Sequence, residues 1–423
     1  MTQRPPHPRP PRQNAPPRVV VLGAGLAGAR LAARLGPDAV LMGEEPHAPY
    51  NRVLLTDVLA GRYGPELITL PEPAPGTYLR TRAVRVDRAD RVVQCEDGSR
   101  VPYETLVLAT GANPVLPPLR GLFAPGATEL PGGVHAFRTM ADCLALREAA
   151  REGTRAVVVG GGLLGVCAAR ALADRGVQVV LAQQGDRLME RQLDPDASEL
   201  VHRHLTTLGV EVHTECRVRG IRQTDGAVRS VELADGYVLD TDLTVLACGV
   251  RPRTGLARAA GLDVRRGVVV DDHLRTSDPH IRAIGDCAEH AGQTRCLAAP
   301  ALDQADALAA ALTSPDPESD EAVRPYSGTR SLTRLTLPHR EHPLDIAAFG
   351  DPETRPDDDV VRLTDATRGT YRKVVVRGDR LVGGVLLGEL TAVGALARAW
   401  ESDEPLPDDG SPLLHLLTHD GGH

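Results

Sequence analysis

Two stretches of the chain repeat one pattern of apolar and polar positions: four aliphatic residues, a cluster of glycines, then apolar residues at three- and four-residue intervals. The first is "RVVVLGAGLAGARLAARL", residues 18–35, and the second is "RAVVVGGGLLGVCAARAL", residues 155–172. An unbroken apolar run predicts a strand buried on both faces, as in a parallel sheet. The 3.6-residue period after the glycines predicts a helix. Each stretch is followed by another aliphatic run, "AVLM" and "VQVVLA", and later by a matching strand-glycine segment, "LVLATGANP" at 106–114 and "TVLACGVRPRT" at 244–254. Alternating strands and helices of this kind predict an α/β architecture with two doubly wound units.

Three further segments complete the outline. "PYNRVLLTDVLAGRYGPELITLP", Pro49 to Pro71, reads as neither a recognisable helix nor a regular strand. "TSDPHIRAIGDCAEH", residues 276–290, reads as a short strand reaching Asp286 just before a helix. From about residue 326, "DVVRLTD", "YRKVVVRG" and "RLVGGVLLG" alternate as strands before a helix at "TAVGALARAWESD", which predicts a small α+β domain. "RGD" at 377–379 lies between two of these strands and is read as a hairpin turn.

The glycine clusters carry the first chemistry. Gly23, Gly25 and Gly28, and again Gly160, Gly162 and Gly165, have the GxGxxG spacing. There, small residues let the backbone approach a pyrophosphate at a helix N-terminus. In the first unit the next strand ends at Gly43-Glu44, about where an acid would bond a ribose. In the second, Gln183 stands where that acid is expected. A neutral amide still bonds a 2′-hydroxyl but repels a 2′-phosphate less, so discrimination between NADH and NADPH is weakened. Arg187 or Arg191 could reach a phosphate or could be solvated surface arginines.

Composition narrows the partners. A net charge of −8 and a pI near 6.0 disfavour nucleic acid and anionic membrane surfaces. No apolar run reaches the length of a membrane span. Seven cysteines without CxxC pairing point to a reducing, cytoplasmic setting and no structural disulfides. Residues 1–17 are rich in proline and arginine and are expected to be a disordered tail. The chain holds a single lysine, Lys373. Metal binding at Cys287, His290 and Cys296 does not match zinc spacing. His202 and His204 do not share a helical face, and His415, His419 and His423 fall in a glycine-containing tail.

The ordered set GAGLAG, ATG, GGGLLG, ACGVRP and GDCAE resembles the FAD-dependent pyridine nucleotide oxidoreductases, glutathione-reductase-like flavoproteins with two Rossmann-like domains. Within them, "EEPHAPYNRVLLTDVLAG", "LMERQLD" and "RGTYRKVVVRGDRLVGGVLLG" resemble the flavoprotein module of NADH-dependent nitrite reductases and the electron-transfer subunits of assimilatory nitrate and nitrite reductases. NADH:rubredoxin reductases are close relatives. The resemblance implies FAD on Gly23, Gly25, Gly28, Glu44, Arg52, Thr110, Gly111 and Asp286. It implies NAD(P)H, with NADH favoured, on Gly160, Gly162, Gly165, Gln183 and Gly249.

The resemblance also marks departures. Related reductases pair a lysine in the crossover segment with a glutamate in the second nucleotide helix, whereas this chain has Asp57 and Cys167 there. Disulfide reductases on this scaffold need a CxxxxC pair or a crossover cysteine, and none occurs between Val40 and Ile68. Iron-sulfur or siroheme ligation needs clustered cysteines, so a nitrite-reducing centre would sit on another polypeptide. The expected acceptor is a nitrate or nitrite reductase polypeptide or a small iron-sulfur protein, and a dimer is the one assembly considered. Two other readings stay open: a thiol-assisted oxidase or peroxide reductase using Cys167, and a non-catalytic flavin-binding sensor. The expected boundaries are an FAD domain at 18–130 and 251–325, a nicotinamide domain at 131–250, a C-terminal domain at 326–405 and a mobile tail from 406.

Overall fold

A computed structural model describes residues 19–406 and Leu417, apart from 125, 315–323, 339–342 and 366. The expected N-terminal tail, nearly all of the C-terminal one and the three tail histidines lie outside the described residues. The chain forms two compact units. The first comprises residues 1–51, 68–113 and 252–328, the second 52–67, 114–251 and 329–423.

The first unit is built on a five-stranded sheet in the order Ile281–Ala283, Thr105–Leu108, Val19–Leu22, Ala39–Gly43, Tyr78–Arg80, with every neighbouring pair parallel. Val19–Leu22 is buried at all four positions because strands flank it and its core takes in residues of helices Leu26–Leu35 and Ala298–Thr313 and meander residues Val86, Val93 and Val101, as its unbroken apolar run requires. The helices Leu26–Leu35 and Ala298–Thr313 pack together, and Asp306 on one pairs with Arg30 and Arg34 on the other at 2.8 and 3.0 Å. An antiparallel meander, Ala83–Asp87, Val92–Cys95 and Arg100–Pro102, interrupts this unit.

The second unit repeats the plan with a parallel sheet in the order Glu211–His213, Gln178–Ala182, Arg155–Val159, Leu243–Leu246, Val134–His135. It also holds the C-terminal antiparallel sheet, ordered Thr333–Leu337, Leu344–Gly350, Arg380–Leu387, Thr370–Arg377, Asp359–Asp365. Helix Val393–Ser402 covers one face of that sheet, where Ala347, Phe349, Val374, Val376 and Leu386 meet Val393 and Leu396. Within the "RGD" stretch Gly378 and Asp379 form the two-residue turn of a hairpin: Arg377 pairs with Arg380, and Gly378 takes φ +61°.

Two expectations need correction, the crossover segment and the helix after Asp286. The segment after Pro49 contains a short helix, Leu55–Ala60, flanked by 3-10 turns at Arg52–Leu54 and Pro65–Ile68. Residues 52–67 group with the nicotinamide-type unit because that short helix packs on Met140–Ala149 and Leu163–Ala173. The middle segment of the first unit ends at residue 113, and the C-terminal sheet groups with the second unit. Asp286 lies in a single 3-10 turn, Gly285–Cys287, with no helix directly after it. Among the described residues no helix is long and apolar enough to cross a membrane.

Candidate functional site: two glycine turns

In the first unit, Gly23 has φ +115°, and a Cβ there would stand 2.1 Å from the carbonyl oxygen of Ala109. A Cβ on Gly28 would stand 1.9 Å from the carbonyl oxygen of Gly23. Glycine is therefore required at both places by close approach of backbone to backbone. Gly25 differs: its φ of −77° suits any residue, and a Cβ there meets nothing within 4 Å. The space beside Gly25 is open. Helix Leu26–Leu35 begins at Gly25 with no side-chain cap and no acid in its first turn, so its N-terminal amides and positive dipole end are uncompensated.

The second unit reproduces this geometry. Gly160 has φ +108° with a Cβ position 2.6 Å from the Ala247 carbonyl oxygen, Gly165 lies 1.8 Å by the same measure from the Gly160 oxygen, and Gly162 faces open space. Helix Leu163–Ala173 is likewise uncapped and free of acids in its first turn. Elsewhere in the same unit, Thr139 closes a capping box and Asp194 caps Pro195–Thr207. Uncapped amides, a glycine floor and an open side fit a pyrophosphate.

Backbone bonds put the two turns in register. Gly23 N–H donates to Met42 O and Gly160 N–H to Ala182 O, each at 2.8 Å. Gln183 therefore occupies the position of Gly43, and Glu44 is matched by Gln184, one residue away from the pairing that strand ends suggest. Gln183 is 9% exposed, and its Oε1 accepts the Gly161 N–H at 2.7 Å. That bond leaves the amide NH2 as the group Gln183 can offer a ligand. Glu44 pairs with Arg253 and lies 3.7 Å from Arg82.

The strand-glycine segments line the same ends. Gly111 and Gly249 take φ of +73° and +93° with open space at the Cβ position. Thr110 Oγ1 donates to the Arg253 carbonyl oxygen at 2.8 Å, and Arg253 N–H donates to Gly111 O at 2.9 Å. Asp286 is half-buried, and its neighbour Gly285 is held by the buried Gln304, whose Oε1 accepts the Gly285 N–H at 2.7 Å. A Cβ on Gly285 would come within 3.1 Å of Ala27 Cβ, so Asp286 is carried to the first turn of helix Leu26–Leu35. Sequence reasoning missed Arg253 and Gln304; a glutamine on the buried face of an alanine-rich helix was the available signal for the latter.

Around Cys167 the second unit builds an ion ladder. Arg62 reaches Asp57 at 3.2 Å and Asp174 at 3.1 Å, and the buried Arg170 reaches Asp174 at 2.6 Å. Asp57 therefore belongs to a network tying the crossover segment to the nucleotide helix. Burial pushes the Cys167 thiol up to about 12, with Arg170 opposing and Asp57 adding to the rise. That outweighs the lowering expected of a helix N-terminus. Arg52 donates to the Arg138 carbonyl oxygen at 3.1 Å within the second unit. Arg187 pairs with Asp186 at 3.2 Å and Glu353 at 3.5 Å. All seven cysteines are free thiols.

Two parallel sheets, each with an uncapped, glycine-floored helix at its carboxyl edge, define a two-dinucleotide α/β oxidoreductase fold. The chain belongs to the pyridine nucleotide-disulphide oxidoreductase family, whose profile matches residues 17–305, and membership implies FAD and NAD(P)H as cofactors. Residues 343–404 match the rubredoxin NAD+ reductase C-terminal domain. The chain is 34% identical to nitrite reductase [NAD(P)H] of Bacillus subtilis over 96% of its own length and 50% of that protein's. It is 32% identical to the assimilatory nitrate reductase electron transfer subunit of the same organism, over 88% and 48%. It thus spans about half the length of these curated relatives. Among solved structures, the covalent putidaredoxin reductase–putidaredoxin complex aligns at a TM-score of 0.80 and 26% identity, covering 96% of this chain and 99% of that one.

Proposed function

We propose that the chain is a cytoplasmic FAD-dependent NAD(P)H oxidoreductase that delivers electrons to a separate redox protein, serving as the electron-transfer component of an assimilatory nitrite or nitrate reductase. The observation that carries this reading is the pair of open glycine turns together with a crossover segment that holds no cysteine between Val40 and Ile68. Bound FAD and NAD(P)H supply the hydride chemistry. The chain's own residues bind and orient. Gly23, Gly25, Gly28, Thr110, Gly111, Asp286 and Glu44 hold the flavin nucleotide, with Arg52 of the crossover segment a further contact. Gly160, Gly162, Gly165, Gly249 and Gln183 hold the nicotinamide coenzyme.

A second acceptor class, a small iron-sulfur protein, is favoured by the nearly end-to-end match with a reductase solved in complex with putidaredoxin. The thiol-assisted reading has less support, because a thiol near 12 is almost wholly protonated at neutral pH. Anaerobic titration with NADH tests the reading. Rapid bleaching of the flavin band at about 450 nm is expected, and the absence of bleaching would leave only the sensor. Cys167→Ala should keep NADH-dependent ferricyanide reduction within about tenfold, a barrier change near 1.4 kcal/mol. Loss of several orders of magnitude with FAD still bound would promote the thiol mechanism.

A further inference from the structure

The loop after Gln183 forms the wall of the second glycine turn, and it grips that turn twice. Gly161 N–H donates to Gln183 Oε1, and Met189 N–H donates to Gly161 O at 2.8 Å. Met189 sits at φ +49°, in the left-handed region, and is buried with Leu188 and Leu193. A loop carrying such a backbone conformation persists only where its surroundings over-determine it.

Its end is over-determined. Asp194, 5% exposed, accepts from Ala197 N–H at 3.0 Å, from the Tyr371 hydroxyl at 2.7 Å and from Lys373 Nζ at 2.9 Å. Tyr371 and Lys373 are two apart on strand Thr370–Arg377 and so share the face opposite Val374 and Val376. Lys373 Nζ also donates to Pro352 O at 2.8 Å. The next residue, Glu353, pairs with Arg187 of the loop. Of the 48 lysine and arginine residues in the chain, the other 47 are all arginine. A compact ammonium can serve two acceptors in a closed space, where a planar guanidinium would need a wider one.

We infer that the C-terminal sheet is a working part of the coenzyme site: Tyr371 and Lys373 hold Asp194, and through it hold residues 183–193 in the shape that receives the nicotinamide coenzyme. They are positioning residues, acting through Asp194. The inference rests on the reading of the second turn as the coenzyme site.

Calorimetric binding of NAD+ to the oxidised, FAD-loaded full chain tests it without turnover. Tyr371→Phe should weaken binding by about threefold and Lys373→Met by about tenfold or more, with FAD content and the flavin spectrum unchanged. In ferricyanide assays the change should fall on KM for NADH and not on kcat. Wild-type affinity in both folded variants would overturn the inference. So would parallel losses of kcat, KM and FAD content, the mark of a general structural role. If Lys373→Met does not fold, Tyr371→Phe, which removes one hydroxyl, decides. A wild-type chain that binds no NAD+ would instead refute the coenzyme-site reading beneath it.

Discussion

The two glycine turns share a backbone and, apart from Ala27 against Leu164, differ in an exchange of volume between the turn and the facing strand end. In the first, Ala24 faces Gly43, and a Cβ on Gly43 would lie 2.9 Å from the Ala24 Cβ. In the second, Gly161 faces Gln183, and a Cβ on Gly161 would lie 2.9 Å from the Gln183 Cβ. The methyl group has moved from the turn to the strand end and grown into an amide that braces the turn. The first unit carries the carboxylate of Glu44 just after this strand end, paired with Arg253, and the second carries the amide NH2 of Gln183. One fold thus offers two different electrostatic edges without altering the glycine floor.

Breaking the shared part should have the largest effect. Gly28→Val and Gly165→Val each drive a side chain into a carbonyl oxygen less than 2 Å from the Cβ position. Each should cost about 3 kcal/mol or more, read as a lower denaturant midpoint. A small loss in either would show that the turn relaxes and that the glycine is not required there.

The buried charge of Asp194 comes next. Burial raises the Asp194 carboxyl, but bonds from Ala197, Lys373 and Tyr371 outweigh it and leave the carboxyl below its ordinary value. Its stabilisation is therefore complete above about pH 4 and is lost as pH falls through the depressed value. Asp194→Asn keeps a capping side chain, so it isolates the charge. It should lower stability by roughly 2–4 kcal/mol at neutral pH, with the difference shrinking at strongly acid pH. A constant difference across that range would contradict the assignment.

Sharpening the difference between the turns should have the smallest effect. In Gln183→Glu one carboxylate oxygen can still accept the Gly161 N–H, while the donor gives way to an anion. The NADH-to-NADPH ratio of kcat/KM, modest in the wild type, should rise by about tenfold. A wild-type ratio already above about a thousandfold, roughly 4 kcal/mol, would assign selection to other residues.

What the sequence reveals follows the range of the interactions. The glycine turns and the strand-glycine segments are set by local backbone needs and lie within one strand-turn-helix unit, so spacing alone exposes them, whereas spacing pairs Gln183 with Glu44 one residue away from the register that the backbone bonds set. Helix Leu55–Ala60 is hidden because six residues between 3-10 turns carry too little period to register. Arg253 on Glu44 and Gln304 on Gly285 join residues far apart in the chain, and no local pattern encodes such pairings. Lys373 is the intermediate case. Its solitary occurrence marks it as unusual, but only the fold brings it to Asp194.

The assignment of flavin to the first turn and coenzyme to the second is tested most directly by FAD content after blocking each open side. Gly25 and Gly162 both have backbone angles open to other residues and empty space at the Cβ position, so leucine at either should enter the ligand's space while leaving the fold intact. Purified Gly25→Leu should be colourless. Gly162→Leu should be yellow with full FAD occupancy yet fail to bleach with NADH. A yellow Gly25→Leu with full FAD, or a colourless Gly162→Leu, would contradict the account.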